Sequence, residues 1–150
     1  MLASPGVVAV SHLRRRAAPE QVRLEFERKA ATDPRFTGLA FPQFIIVARP
    51  VIIPEALAAN ATLDPGEVAA LALALERGIA DMLIDESFGR AAALALGLHV
   101  SGLIGVLIEG KKRNLVPALR PLLDSLVTGA KFWLTDRLRE RVLRSAGETP

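Results

Sequence analysis

The chain contains no cysteine, which excludes a disulfide framework, a thiolate zinc site and a cysteine nucleophile. It has two histidines, His12 and His99, too few for a histidine-rich metal site. Neither has a signposted serine nucleophile, so no Ser-His-Asp set is arguable. No run reaches the roughly 18 uninterrupted apolar residues of a membrane-spanning helix. The N-terminus also lacks the charged start and long apolar segment of a secretory signal. A soluble cytoplasmic protein without membrane contact is the expectation. The 150 residues are 51% hydrophobic and 23% charged, which fits one globular domain over 1–150 with a real core and excludes a disordered chain.

The net charge of +3 conceals a pattern. Residues 1–35 carry seven basic and four acidic side chains, residues 36–110 three basic and eight acidic, and residues 111–144 nine basic and three acidic. An acidic middle between basic ends suits two kinds of chemistry. A basic surface attracts polyanions, and concentrated carboxylates can hold a divalent cation. Helix ends decorated with Arg and Lys account for the same numbers equally well.

Residues 1–18 read poorly, with a short strand at Gly6–Val10 followed by Arg14, Arg15 and Arg16. Pro19 stands where a first helical residue would, and Val22, Phe26 and Ala30 form the apolar stripe of a helix over about 20–30, ended by Asp33-Pro34. Phe44-Ile45-Ile46-Val47 reads as a buried strand, and 54–60 as a short helix. Asp64-Pro65-Gly66-Glu67 opens a helix with Asp64 as N-cap, Pro65 at the first position and Glu67 closing a capping box. That helix runs to Arg77 and stops at Gly78. Its body is apolar all round, the mark of burial on most sides. A strand at Met82-Leu83-Ile84 ends at Asp85, a helix runs over 87–96, and a strand covers 98–100. Ser101 caps a helix to about Arg113. Helices over 116–126 and 135–145 flank a strand at Lys131–Leu134, and the last residues look frayed. Short apolar strands alternating with helices indicate an α/β fold, a parallel sheet covered on both faces.

In such a fold, ligands bind beyond the carboxyl ends of the strands. Glu67 in the first turn of its helix and Asp85 at a strand end belong to one rim, with Glu86 beside Asp85. Ser101 reaches that rim, and Glu25 is a fourth member. Convergent carboxylates repel one another unless a cation sits between them. Mg²⁺ or Mn²⁺ suits an oxygen-only site and would activate water at a phosphate. Each residue also has a plain structural reading: Glu67 as capping-box partner, Asp85 as turn residue, Glu25 as solvated charge and Ser101 as N-cap.

The segment Leu63–Arg90, with Leu-Asp-Pro-Gly-Glu, an Ala/Leu helix, Leu-Ile-Asp-Glu and Gly89-Arg90, resembles a bacterial and archaeal branch of the PIN-domain proteins. The resemblance continues through His99-Val100-Ser101-Gly102, Leu103–Ile108 and Arg120-Pro121-Leu122-Leu123-Asp124, and covers roughly 19–147. It implies a three-layer α/β/α domain and a ribonuclease using Mg²⁺ or Mn²⁺, of the kind that serves as a toxin paired with an antitoxin protein. By resemblance, Glu25, Glu67 and Asp85 match three acidic metal-binding positions. Ser101 is expected to position the attacking water. The family's first strand ends in an Asp, whereas here no acidic residue precedes Glu20 and alignment on Ser4-Pro5 puts Leu2 at that position. The domain is thus expected to be incomplete at its N-terminus, with an exposed sheet edge that a homodimer would bury. The alternative is a catalytically inactive PIN-like module that binds nucleic acid or protein. A small phosphotransfer or phosphatase-like enzyme with the same carboxylates is a third reading.

Other signals are weaker. Gly105–Lys112 approaches a phosphate-binding loop, but Lys112 stands where the Mg²⁺-binding hydroxyl belongs and Glu109 would repel phosphate. Lys111-Lys112-Arg113 suits either a helix C-terminus or an RNA contact. His99, beside a buried strand, reads as structural. Trp133 beside Phe132 reads as core rather than as a base-stacking pair. Arg137, Arg141 and Arg144 share a helical face, open to solvent, a phosphate backbone or an acidic partner.

Overall fold

The computed structural model describes residues 16–149. The strand expected at Gly6–Val10, and His12, lie outside the described residues. The chain forms two compact units that divide between Val100 and Ser101.

In the first unit, β1 (Ala17–Pro19) leads directly into α1 (Glu20–Thr32). Pro19 is the N-cap at φ −63° rather than the first helical residue, because it also closes β1. The apolar stripe of α1 is shallow: none of its residues is fully buried. Phe26 finds an edge-to-face partner in Phe41 at 5.6 Å between ring centroids. The surface of α1 is laced by ion pairs of Arg23 with Glu27 and of Lys29 with Glu25, at 2.6 and 2.9 Å. After α1, Asp33 is held by the Arg35 side chain and backbone, which bring its carboxyl down to about 2.

β2 (Ile46–Ala48) pairs in parallel with β1, Ala17 opposite Ile46 and Pro19 opposite Ala48. Phe44–Val47 is therefore not the buried strand expected. Phe44 and Ile46 are more than half exposed, and the Arg16 guanidinium lies over the Phe44 ring at 4.7 Å. A cation on the ring face is an alternative to burial for an aromatic side chain.

α2 (Glu55–Ala58) precedes α3 (Pro65–Arg77), whose bounds match the sequence reading. The local signals are decisive there. Asp64 Oδ1 accepts the Glu67 N–H at 2.7 Å, and Glu67 Oε2 accepts the Asp64 N–H at 3.0 Å. Gly78, in the left-handed region at φ 61°, ends the helix and donates its N–H to the Ala74 and Leu75 carbonyls. That conformation strains any residue with a Cβ. Ala69, Leu71, Ala72, Leu73 and Ala74 are buried, and α3 packs on β1, α1 and α2. β3 (Asp81–Leu83), α4 (Ser87–Ala95) and β4 (His99–Ser101) complete a second two-stranded sheet. The result is α/β, as expected, with the strands of the described residues in two pairs. The core gathers Leu57, Leu63, Leu71, Ile84, Ala93 and Leu98. His99 is exposed and pairs with Asp81 at 3.1 Å.

The second unit is helical: α5 (Leu103–Lys112), α6 (Arg120–Thr128) and α7 (Asp136–Ser145). Ser101 does not cap α5. It is the last residue of β4, and Gly102 takes the N-cap position. Lys131–Leu134 is not a strand. Lys131 has a positive φ of 56°, and the Phe132 N–H bonds back to Leu126 O at 2.9 Å, which turns the chain instead of extending it. Thr135 caps α7, its hydroxyl accepting the Leu138 N–H. The core is Leu119, Leu123, Val142 and Leu143.

The C-terminal residues are tethered, contrary to the frayed end expected. Glu148 accepts the N–H groups of Leu119 and Arg120 at 2.7 and 3.1 Å and pairs with Lys111 at 3.3 Å. It thereby serves the N-terminus of α6 from 28 residues away, where Leu119 offers no capping side chain. The Leu119 N–H foremost, then that of Arg120 and the Lys111 ammonium, hold its carboxyl below the usual range. Among the described residues, no helix is long and apolar enough to cross a membrane.

Candidate active site

The start of α3 brings the Asp64 carboxylate toward Glu25 of α1. Its closeness to α1 is measured at Gly66, where an added Cβ would stand 3.1 Å from Asp64 Oδ1, 3.4 Å from Val22 Cγ2 and 3.9 Å from Glu25 Oε2. Small size at Gly66 therefore lets the first turn of α3 approach α1, and Glu25 and Asp64 become neighbours. The sequence pattern marks Asp64 as an N-cap alone, and that local signal hides its place near Glu25.

Glu67 has two different oxygens. Oε2 is committed to the capping box. Oε1 is buried and has no hydrogen-bond partner among the described residues. It lies under Gly89, where an added Cβ would overlap it and would stand 3.0 Å from Ile84 Cγ2. The first turn of α3 thus meets the residue that follows β3 across a glycine of α4. Arg90, next to Gly89, donates to the Ile84 carbonyl at 2.9 Å and fixes the chain as it reaches Asp85. Asp85 itself is exposed and engaged with a neighbour.

These carboxylates do not fit a shared Mg²⁺ or Mn²⁺ ion. Among the described residues, no group of three or more His, Asp or Glu is gathered to hold a metal. Glu25 is paired with Lys29, and Glu67 is held by Asp64 on one oxygen and covered by Gly89 on the other. The physical reason is local: the capping box satisfies the helix end with the carboxylate a metal would need.

The remaining expected residues lie in the second unit. Ser101 is exposed at the end of β4. Of Lys111, Lys112 and Arg113, two are bound internally. Lys111 donates to the Pro117 carbonyl at 2.5 Å and pairs with Glu148, and Arg113 pairs with Glu109 at 2.7 Å. Lys112 is exposed. The run therefore works mainly at the C-terminal end of α5, which cations complement. Trp133, expected in the core, is 83% exposed.

A sequence model described as a PIN domain matches residues 9–148, and so spans both units. Neither the curated proteins nor the solved structures gave a match.

Proposed function

The chain belongs to the PIN-domain family; from that membership we propose that it is a nuclease hydrolysing RNA phosphodiesters at the rim where α3 meets the end of β3. Proteins of this family are generally nucleases and typically use divalent metals. The single observation that supports the reading is the meeting of Glu67 and Ile84 over Gly89, which brings one carboxylate close to the residue preceding another.

Hydrolysis requires a group to take a proton from the attacking water. We assign that role to Asp85, the exposed carboxylate at the strand end. Glu67, fixed by its capping box, and Glu25, held by Lys29, act as positioning residues for the rim. The basic excess of the second unit supports RNA as the polyanion. The role as a toxin paired with an antitoxin is carried by family resemblance alone, and growth arrest on expression tests it. A homodimer is proposed on the same terms, supported by exposed Val51 and Ile52 after β2; sedimentation equilibrium reads it.

The test is cleavage of a labelled mixed-sequence RNA in Mn²⁺, Mg²⁺ or EDTA, with Asp85→Asn alongside. Wild-type cleavage should fall by about a hundredfold or more in the variant, the usual range for losing a general base, with circular dichroism unchanged. Full activity in the folded variant overturns the assignment. Loss of wild-type cleavage in EDTA alone demonstrates a metal requirement. A second reading, a non-catalytic RNA-binding module, is favoured by the absence of a three-carboxylate group among the described residues. It requires a folded wild type that binds RNA and cleaves in none of the three conditions.

A further inference from the structure

Trp133 and one face of α7 share a feature that the nuclease reading does not use. The chain's single tryptophan stands 83% exposed in the turn before α7, in a backbone held by the Phe132 N–H to Leu126 O bond. Two residues later, Thr135 caps α7.

The helix sorts its residues sharply. Val142 and Leu143 anchor one side in the core. Arg139 reaches Asp124 of α6 at 2.5 Å, so this arginine is structural. Arg137, Arg141 and Arg144 are exposed and line, with Glu140, one surface hollow of about 300 Å³. Among the described residues, Arg137 and Arg141 have no ion-pair or hydrogen-bond partner. Arg144 meets only Glu140 among the described residues, at 3.1 Å and largely exposed to solvent. Such a pair contributes little, and the hollow keeps a surplus of two positive charges. The three guanidinium groups span about 10 Å along the helix, at 1.5 Å per residue.

We propose that Trp133 and the Arg137–Arg141–Arg144 face of α7 form a binding surface for single-stranded nucleic acid, with Trp133 stacking on a base and the arginines contacting backbone phosphates. Guanidinium forks match phosphate oxygens, and an exposed indole four residues ahead of a cationic track supplies, with it, the stacking and charge that hold single strands without reading sequence. An acidic peptide would use the arginines but leave the indole without a role, which is why nucleic acid is favoured. The inference goes beyond the cleavage reading: it concerns binding, and it stands or falls in EDTA, where no turnover is needed.

The experiment titrates the protein in EDTA with oligo(U) and oligo(dT) of about 12 nucleotides, within the range of known single-strand site sizes. It follows oligonucleotide anisotropy and the fluorescence of the one tryptophan. The wild type should bind with quenching. The triple variant Arg137→Gln, Arg141→Gln, Arg144→Gln should bind at least about tenfold more weakly. Its salt slope should be lower by about 2, the value for three lost phosphate contacts on a single strand. Trp133→Ala should weaken binding roughly ten- to a hundredfold with the salt slope kept. Arg77→Gln in the other unit should change little. If the triple Gln variant fails to fold by circular dichroism, the triple Lys variant, expected to retain the salt slope, and Trp133→Ala carry the test.

Wild-type indifference to both oligonucleotides, unchanged binding in the arginine variant, or unquenched Trp133 overturns the proposal. Arginine-dependent binding of oligoglutamate with no binding of either oligonucleotide overturns it in favour of an acidic protein partner. RNA cleavage by a protein that fails here would leave the nuclease reading intact, so the two fail separately.

Discussion

The two units use charge in opposite ways. Described residues 16–100 hold eleven acidic and eight basic side chains, whereas residues 101–149 hold five acidic and nine basic. In the first unit Glu25, Asp64 and Glu67 stand near the start of a helix with a buried face, and the core gathers around α3. In the second, four residues make up the buried core, and polar tethers supplement it: Arg139 to Asp124, and Glu148 to the start of α6. Both units carry ion pairs, but those of Arg23 with Glu27 and Lys29 with Glu25 lie within one helix, whereas in the second unit Arg139–Asp124 and Glu148 join separate elements.

That contrast breaks or sharpens under substitution. The largest structural effects should come from Leu71→Ala and Leu143→Ala, both fully buried. Each should cost about 2–5 kcal/mol by transfer and cavity terms. Hydrogen exchange should show protection lost first around α3 in one variant and around α6 and α7 in the other. Loss spread evenly over both units in either variant would contradict their separate stabilisation.

Next is Gly89→Ala. The new Cβ would overlap Glu67 Oε1 and crowd Ile84, an overpacking cost of about 1–3 kcal/mol. Adding Glu67→Ala should relieve part of it, since the clash partner is gone; strict additivity in a double-mutant cycle would show that the two do not meet. Asp64→Ala removes a capping acceptor and should cost about 1 kcal/mol, read by denaturant midpoint.

The smallest effect is the pH dependence of Glu148. Its folded carboxyl lies below the ordinary 4.5, so its contribution is fully present above that value and is lost as pH falls through the folded one. The stability gap between wild type and Glu148→Gln should be constant from neutrality to about pH 5 and close in acid. A gap that widens on acidification would reverse the sign of the argument.

How much of this was legible depended on the range of the signal. The bounds of α3 could be read because Asp64, Pro65, Glu67 and Gly78 act within one turn of either end. The approach of Glu67 to the residue after β3 was legible in outline, since strand-end and helix-start positions follow from topology. The state of Glu67 was not: the capping box that marks the helix also occupies its carboxylate. The apolar run Phe44–Val47 reads as a buried strand, yet a guanidinium covers Phe44 from outside the run. Lys131–Leu134 reads as a strand, yet a positive φ at Lys131 turns it. Glu148 could not be connected to Leu119 from sequence, because a contact 29 residues long leaves no local pattern.

The most direct test of the account is steady-state cleavage of one RNA by wild type, Asp85→Asn and the triple Arg137→Gln, Arg141→Gln, Arg144→Gln variant. Asp85→Asn should lower kcat by about a hundredfold or more with KM little changed. The arginine variant should raise KM about tenfold with kcat nearly kept. Undiminished kcat in folded Asp85→Asn, or a loss confined to kcat in the arginine variant, would contradict the division between an acidic cleaving rim and a basic binding helix.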